Sequence, residues 1–398
     1  MKITYGKNVY GKEEINSVIK QLKKTTQMGV SVNSFENLIA KKFSKKYGLM
    51  VNSGSSALTL AMNVLNFKKK DEIIVPCLNF GTALSSIIHS GATPILVDVE
   101  VDTLQIDVSK IEGRITNNTK AIMVPNLIGN IPDFIKIKKI ANKYRLKVIE
   151  DSADTLGAKI SGKATGNYSD ISITSFYGSH VISCAGNGGM FLTNNKSLYE
   201  KAKVLRSWGR MSTLIKDSEN IKKRLNIKLK GYEYDKKFVF SEVGYNFEPS
   251  EIGASFGLIQ LKKFDRFSKI RVKNFNLHKK FFEKYDNYFI SPKVDKKIST
   301  NFLAYPIIIR ENKFFVRKEL QTFLENNNIQ TRPIFSGNIL RHPAFLKLIS
   351  KRNKLDSFKN SDYIMKNGIL VGCHQGLSLK KIKYIHNKID KFLSKKIN

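Results

Sequence analysis

Over the first two-thirds of the chain, short apolar blocks alternate with stretches of helical spacing, the rhythm of a layered α/β domain. The blocks at 72–75, 94–97, 121–124, 147–150, 171–175 and 190–193 carry apolar residues mostly in series, which predicts strands covered on both faces. Phe35, Leu38, Ile39 and Phe43 recur at helical spacing, with Ser34 placed to cap that helix and Gly48 to end it. The small-residue turn Val51-Asn52-Ser53-Gly54-Ser55-Ser56 opens a second helix through Ala57, Leu58, Leu60, Ala61, Val64 and Leu65. Pro132 and Asp133 start a third, which runs through Tyr144.

The rhythm breaks at 211–240, a polar, lysine-rich and weakly periodic stretch expected to make an excursion over the surface near the site. A helical pattern begins at Glu251 and continues with breaks to about Tyr285. Beyond it, a strand-like run at 304–309 and a helical pattern at 316–327 predict a smaller α/β domain. The expected division is a large domain over 1–262 and a small C-terminal one over 263–398.

Length agrees with this, since 398 residues exceed the usual size of one domain. A hydrophobic fraction of 41% is enough to fill such interiors. No stretch approaches the roughly 20 apolar residues of a membrane helix, and the N-terminal segment lacks a signal peptide's apolar centre. No membrane insertion and a cytoplasmic location are expected. Cys77, Cys184 and Cys373 are odd in number and far apart, which argues against a disulfide framework or a paired-cysteine metal site. The net charge of +35 raises the question of nucleic acid. Its lysines are dispersed in groups such as Lys68-Lys69-Lys70 and Lys380-Lys381, without a basic tail or aromatic-interleaved patch, so no nucleic-acid partner is expected. A general positive field still favours an anionic substrate.

Four segments carry candidate chemistry. Ser53-Gly54-Ser55-Ser56 at a helix start offers backbone N–H groups and hydroxyls to an anion, although such turns more often only cap. The buried run Ile149-Glu150-Asp151-Ser152-Ala153-Asp154 ends in acids where α/β sheets bind ligands; a helix-capping role for Asp151 competes. Ser175 ends a strand ahead of Tyr177, His180 and the turn Gly186-Asn187-Gly188-Gly189, which permits close backbone approach. Gly244-Tyr245-Asn246-Phe247-Glu248 is the fourth.

In this order the segments resemble the DegT/DnrJ/EryC1/StrS family of pyridoxal-phosphate (PLP) nucleotide-sugar enzymes, which have the aspartate aminotransferase fold. The resemblance covers nearly the whole chain. It implies a large domain with a mostly parallel seven-stranded sheet plus a smaller α/β domain. It implies a phosphate site at 51–57 with Gly54, Ser55 and Ser56, a ring-stacking Phe80 within 76–82, Asp151 on the pyridine nitrogen and Asp154 beside it. Ser175 is implied as a second phosphate ligand, and Asn246 as a contact to the phosphate of a neighbouring subunit, hence a homodimer. Where the family keeps its Schiff-base lysine, five residues after the serine, this chain has His180. Histidine can move protons but cannot hold PLP as an imine.

That exchange, with Leu205-Arg206-Ser207-Trp208-Gly209-Arg210 and Thr331-Arg332-Pro333-Ile334-Phe335-Ser336-Gly337-Asn338, is similar to the 3-dehydratase branch typified by GDP-4-keto-6-deoxy-D-mannose 3-dehydratase. The branch implies removal of the 3-hydroxyl from a nucleotide-linked 4-keto-6-deoxysugar in deoxysugar and lipopolysaccharide O-antigen biosynthesis. It implies pyridoxamine phosphate (PMP) as the working cofactor, not bound covalently to lysine, with L-glutamate restoring the amine. His180 is implied as the acid–base group. Arg332 is a candidate for a phosphate or sugar contact, because a guanidinium matches a pair of pyrophosphate oxygens, and a structural ion pair competes with that reading. One relative in the branch adds an iron–sulfur cluster; no cysteine lies between Cys184 and Cys373, so none is expected here. A nucleotide-sugar aminotransferase and a non-catalytic binding or regulatory protein on the same fold remain alternative readings.

Overall fold

The computed structural model describes residues 2–215, 217–225 and 227–397. Its largest sheet has seven strands: β1 Tyr47–Val51, β2 Glu72–Pro76, β3 Thr93–Val97, β4 Thr119–Pro125, β5 Lys147–Ser152, β6 Ile171–Ser175 and β7 Gly189–Thr193. They lie in the order β1-β7-β6-β5-β4-β2-β3. From β6 to β3 the neighbours are parallel, and β7 runs antiparallel to both β1 and β6. The serial apolar runs are explained by burial on both faces. Ile73, Val75, Met123 and Ile149 enter one core, while Ile74, Ile122, Val124 and Val148 enter the core on the opposite face. Parallel strands deliver their C-terminal ends to a single edge, where Phe80, Asn126, Asp151 and Ser175 follow or end their strands.

Two expectations at the start of the chain are corrected. Ser34 does not cap the first predicted helix, which spans Val30–Lys42 and begins after Gly29. The cap is tertiary: the buried Glu251 carboxylate accepts from Gly29 N (2.8 Å), Ser31 N (2.5 Å) and Val32 N (3.1 Å). Gly48 does not end that helix; it lies within β1. A Cβ there would stand 2.6 Å from the Glu36 carbonyl oxygen, so glycine is needed for the helix to lie against the strand. Ser53 caps Gly54–Val64 and Asp133 caps Phe134–Lys143, each accepting a backbone N–H three residues on.

A second sheet of four strands pairs Phe289–Ile290, Ala304–Ile309, Gly368–Gly372 and Arg332–Pro333, in that order and antiparallel throughout. Helices Phe264–Phe282 and Leu379–Ile397 cover it with Phe275, Phe282, Ile382 and Ile385. Ile3 joins this core and bridges Ile329, so the N-terminal tip crosses to the C-terminal part of the chain. The stretch after Arg210 holds the helical turn Ile221–Arg224 and a small hairpin, Lys228–Leu229 with Tyr232–Glu233. Bridges Arg210 to Phe240 and Ser207 to Asn246 bring it back to where it left. No described helix is long and apolar enough to cross a membrane.

Because Glu251 holds three buried or half-buried N–H groups of another helix, Glu251→Ala is expected to cost about 2–3 kcal/mol. Urea denaturation should show a lower midpoint with an unchanged slope. A loss below about 0.5 kcal/mol, the size of an ordinary surface change, would show that water satisfies these donors.

Candidate active site

The start of helix Gly54–Val64 forms one wall. Ser53 Oγ accepts from Ser56 N (3.0 Å), and the buried Ser56 hydroxyl donates to Asn52 Oδ1 (2.6 Å). Of the three positions picked from the sequence, Ser56 therefore stabilises the turn, leaving the N–H groups of Gly54 and Ser55 at the helix end for an anion. A Cβ on Gly54 would stand 2.7 Å from Ser175 Cβ, and one on Gly189 only 2.2 Å from the Ser53 carbonyl oxygen. Glycine at both positions is what brings this helix start against Ser175, opposite which Gly189 pairs.

The acids lie one strand further along. Asp151 pairs with Ile173 on the strand that ends at Ser175. Its buried carboxylate accepts one hydrogen bond, from Ala153 N at 3.0 Å. Burial pushes its pKa up to about 6, opposed by that N–H and reinforced by the charge of Glu150. Asp154 is also buried and accepts from Ile128 N at 2.9 Å. Burial pushes it up to about 7, the Ile128 N–H opposing and Asp151 adding. Neither carboxylate has an ion-pair partner among the described residues. Asn126, missed in the sequence, donates through its backbone N–H to the Asp151 carbonyl (2.8 Å) and through its amide to Glu150 (3.1 Å) and Ser152 (2.6 Å). Its Oδ1 is buried without a donor among the described residues.

His180 folds back on the same strand end. Its Nδ1 lies 3.3 Å from the Ser175 carbonyl oxygen, which can only accept, so Nδ1 carries the proton and Nε2 keeps its lone pair. Burial pushes the imidazole pKa down to about 4; the Ser175 carbonyl opposes this and the Arg271 charge adds to it. At neutral pH the ring is an uncharged base.

Phe80 immediately precedes helix Gly81–His89 and is 60% exposed, an aromatic face presented to solvent at the strand edge. With Tyr5, Asn79, Arg332, Ser336 and His342 it lines a cavity of about 380 Å³. The Arg332 guanidinium stands 5.8 Å from the Tyr5 ring and donates to the carbonyl of Thr331. Asn246 is exposed, and its backbone carbonyl meets Asn52 beside its own chain's helix-start loop. Tyr5 was missed because only the tertiary fold brings the N-terminal segment here; Asn126, directly after a buried strand, carried a readable signal of the same kind as Asp151. Among the described residues no group of three or more His, Cys, Asp or Glu is placed to hold a metal ion. An anion-binding helix start, an unpaired buried carboxylate on a neighbouring strand and an exposed aromatic face together suit a flat ring that is cationic at one end and carries an anion at the other.

The model of the DegT/DnrJ/EryC1/StrS aminotransferase family matches residues 8–390. The lipopolysaccharide biosynthesis protein RfbH of Salmonella typhimurium is 31% identical over 371 residues, covering 90% of this chain and 84% of that protein. GDP-4-keto-6-deoxy-D-mannose 3-dehydratase of Escherichia coli O55:H7 is 31% identical over 370 residues, covering 90% and 91%. The solved E. coli GDP-4-keto-6-deoxy-D-mannose-3-dehydratase with bound hydrated PLP superposes with a TM-score of 0.84 at 29% identity, over 98% of this chain and 100% of that one.

The raised acid pKa values predict a pH signature. In the cofactor-free protein, folded Asp151 holds its proton up to about pH 6, whereas the unfolded group loses it near 3.8. That contribution to stability is present at low pH and is lost as pH rises through this window. Asp151→Asn should therefore be more stable than wild type above pH 6, by about 3 kcal/mol for a shift of this size, while retaining the cofactor less well. Denaturation at pH 4 and pH 8, with cofactor content of each protein, checks both halves; equal stability at the two pH values would mean that water reaches the carboxylate.

Proposed function

Because the chain belongs to the DegT/DnrJ/EryC1/StrS aminotransferase family, we propose that it is a 3-dehydratase removing the 3-hydroxyl of a nucleotide-linked 4-keto-6-deoxyhexose, with PMP as working cofactor and L-glutamate as the source of its amine. The observation that carries this reading is His180, a neutral base at the position where the family's pattern has lysine. When bound, the cofactor supplies a primary amine that condenses with the 4-keto carbon and a protonated ring that accepts electrons. The Gly54 and Ser55 N–H groups with the Ser175 hydroxyl would hold its phosphate, Phe80 would offer its aromatic face to the ring, and Asp151 would supply the negative charge that keeps the ring nitrogen protonated. The Asp151 carboxylate then gains the counter-charge it lacks in the protein alone, with Asp154 behind it.

His180 Nε2, uncharged and with its lone pair free, would be the group that accepts the proton. Its imidazolium is held where burial disfavours charge, so it is a strong acid for its type and gives the proton to the departing 3-hydroxyl. The Nδ1–H bond to Ser175 keeps Nε2 free through both transfers. Arg332, beside Phe80, binds the substrate's phosphates. With three cysteines in the whole chain, a cluster's four thiolates are lacking, and the cycle runs without an external reductase. The working unit is a cytoplasmic homodimer in which Asn246 reaches the partner's phosphate site. Its support is the exposed apolar side chains on the segment that leads to Asn246, with Phe240 59% and Val243 95% exposed. Residues 1–262 carry the cofactor and 263–398 close over it.

Incubation with PLP, glutamate and a panel of nucleotide-linked 4-keto-6-deoxysugars should release ammonia and a sugar one hydroxyl poorer. An amino sugar without ammonia would make the protein an aminotransferase, and no product with any sugar would favour a binding protein. His180→Asn should keep the cofactor and lose about 10²–10⁴-fold in dehydration, the worth of a positioned acid–base group. His180→Lys should let borohydride fix PLP to the introduced lysine; failure to do so would mean that residue 180 does not face the cofactor aldehyde.

A further inference from the structure

Arg271, in the middle of helix Phe264–Phe282, is completely buried and has no ion-pair partner among the described residues. Burial of an uncompensated cation is costly and draws its pKa down to about 10. The guanidinium is instead satisfied by neutral acceptors from separate segments. Nη1 donates to the carbonyls of Phe302 (3.0 Å) and Leu303 (3.1 Å), Nε to Gln375 Oε1 (2.7 Å), and Nη2 to the carbonyl of His180 (3.1 Å). Gln375 in turn donates through Nε2 to the carbonyl of Val181 at 3.3 Å.

The carbonyls of two consecutive residues, 180 and 181, are thus gripped by two side chains from the C-terminal part of the chain. The ring of His180 is held separately, at Ser175. A planar fork of five donors reaches all these acceptors together, which an ammonium on a flexible stem does not reproduce. A residue that only filled space here would be apolar, and would avoid the cost of the buried charge.

We propose that Arg271 and Gln375 form a clamp that positions the His180 imidazole over the cofactor, so that the seat of the C-terminal domain sets where the base stands. This rests on the role of His180 given above. Both are positioning residues: they touch neither substrate nor cofactor and act through the backbone of residues 180 and 181.

The test uses Arg271→Lys and Gln375→Met, each in wild-type and His180→Lys backgrounds. In the wild-type background kcat should fall about 10- to 100-fold, the scale of a misplacement near 1 Å, with the KM for sugar and the cofactor content unchanged. In the His180→Lys background the borohydride-fixable bond to PLP should form at least about tenfold more slowly once the clamp is broken, by the same misplacement. In the cofactor-free protein, the imidazole NMR signal identified by its absence from His180→Asn should shift or broaden. Gln375→Met, which removes only its own two hydrogen bonds, decides the matter should Arg271→Lys not fold. Unchanged kcat and bond-formation rate with a lowered melting temperature would make the pair merely structural; a raised KM or lost cofactor at constant kcat would make it a binding element. Either result overturns the clamp. Wild-type dehydration by His180→Asn would sink the catalytic reading of His180 alone, since the rate of bond formation still reports how residue 180 is held.

Discussion

Two carboxylates buried beside one strand end, with no ion-pair partner for either among the described residues, are the constraint around which the rest of the site is arranged. Asp151 and Asp154 each accept only a backbone N–H, and burial raises both pKa values. A protein selected only for stability would place amides there. The arrangement makes sense when a cationic ligand supplies the missing charge, and binding free energy then becomes folding free energy. The network behind them is fully protein-based by contrast. Glu150, on the other side of the same strand, is satisfied by Asn126, Ser152, Ser169 and Ser172, so charge is neutralised by hydrogen bonds on one face and left for a ligand on the other.

The same economy governs His180. Histidine in water is half charged near pH 6.5, whereas the half-buried His180 beside Arg271 has its pKa pushed down to about 4 and stays neutral. Neutrality leaves Nε2 its lone pair, and the unfavourable surroundings of the charged form would make a proton taken there easy to pass on, as the proposed acid–base role needs. A lysine side chain can form an imine with PLP; a histidine cannot.

One strained turn lies directly against these groups. Ile128 adopts φ 61°, a conformation that β-branched residues avoid, and its N–H is the one that meets Asp154. Gly129 follows at φ 85°, and a Cβ on it would stand 2.3 Å from the Asn301 carbonyl oxygen. Asn301 itself holds Leu156 through both amide atoms, at 3.2 and 2.7 Å. The turn after β4, the acidic loop after β5 and the entry to the second sheet are therefore packed and hydrogen-bonded together.

By itself the sequence determined the parts whose physics is local. Serial apolar runs mark buried strands because both faces of a parallel sheet are covered, and Ser53 and Asp133 mark helix starts because a cap bonds three residues ahead. The approach of His180 to Ser175 is local in the same way, because a short loop joins the two. Tertiary structure decided whatever depends on distant partners. Helix Val30–Lys42 begins at a residue with no capping side chain because Glu251, more than two hundred residues away in sequence, accepts its N–H groups. Gly48 looked like a helix stop and is a strand residue because a helix backbone passes too close for a side chain. Tyr5, Arg271 and Gln375 carry no local signal at all. Their place beside His180 and Phe80 exists only once the N-terminal tip and the second sheet dock on the first, since hydrogen bonds and charge act over a few ångströms of space whatever the separation along the chain.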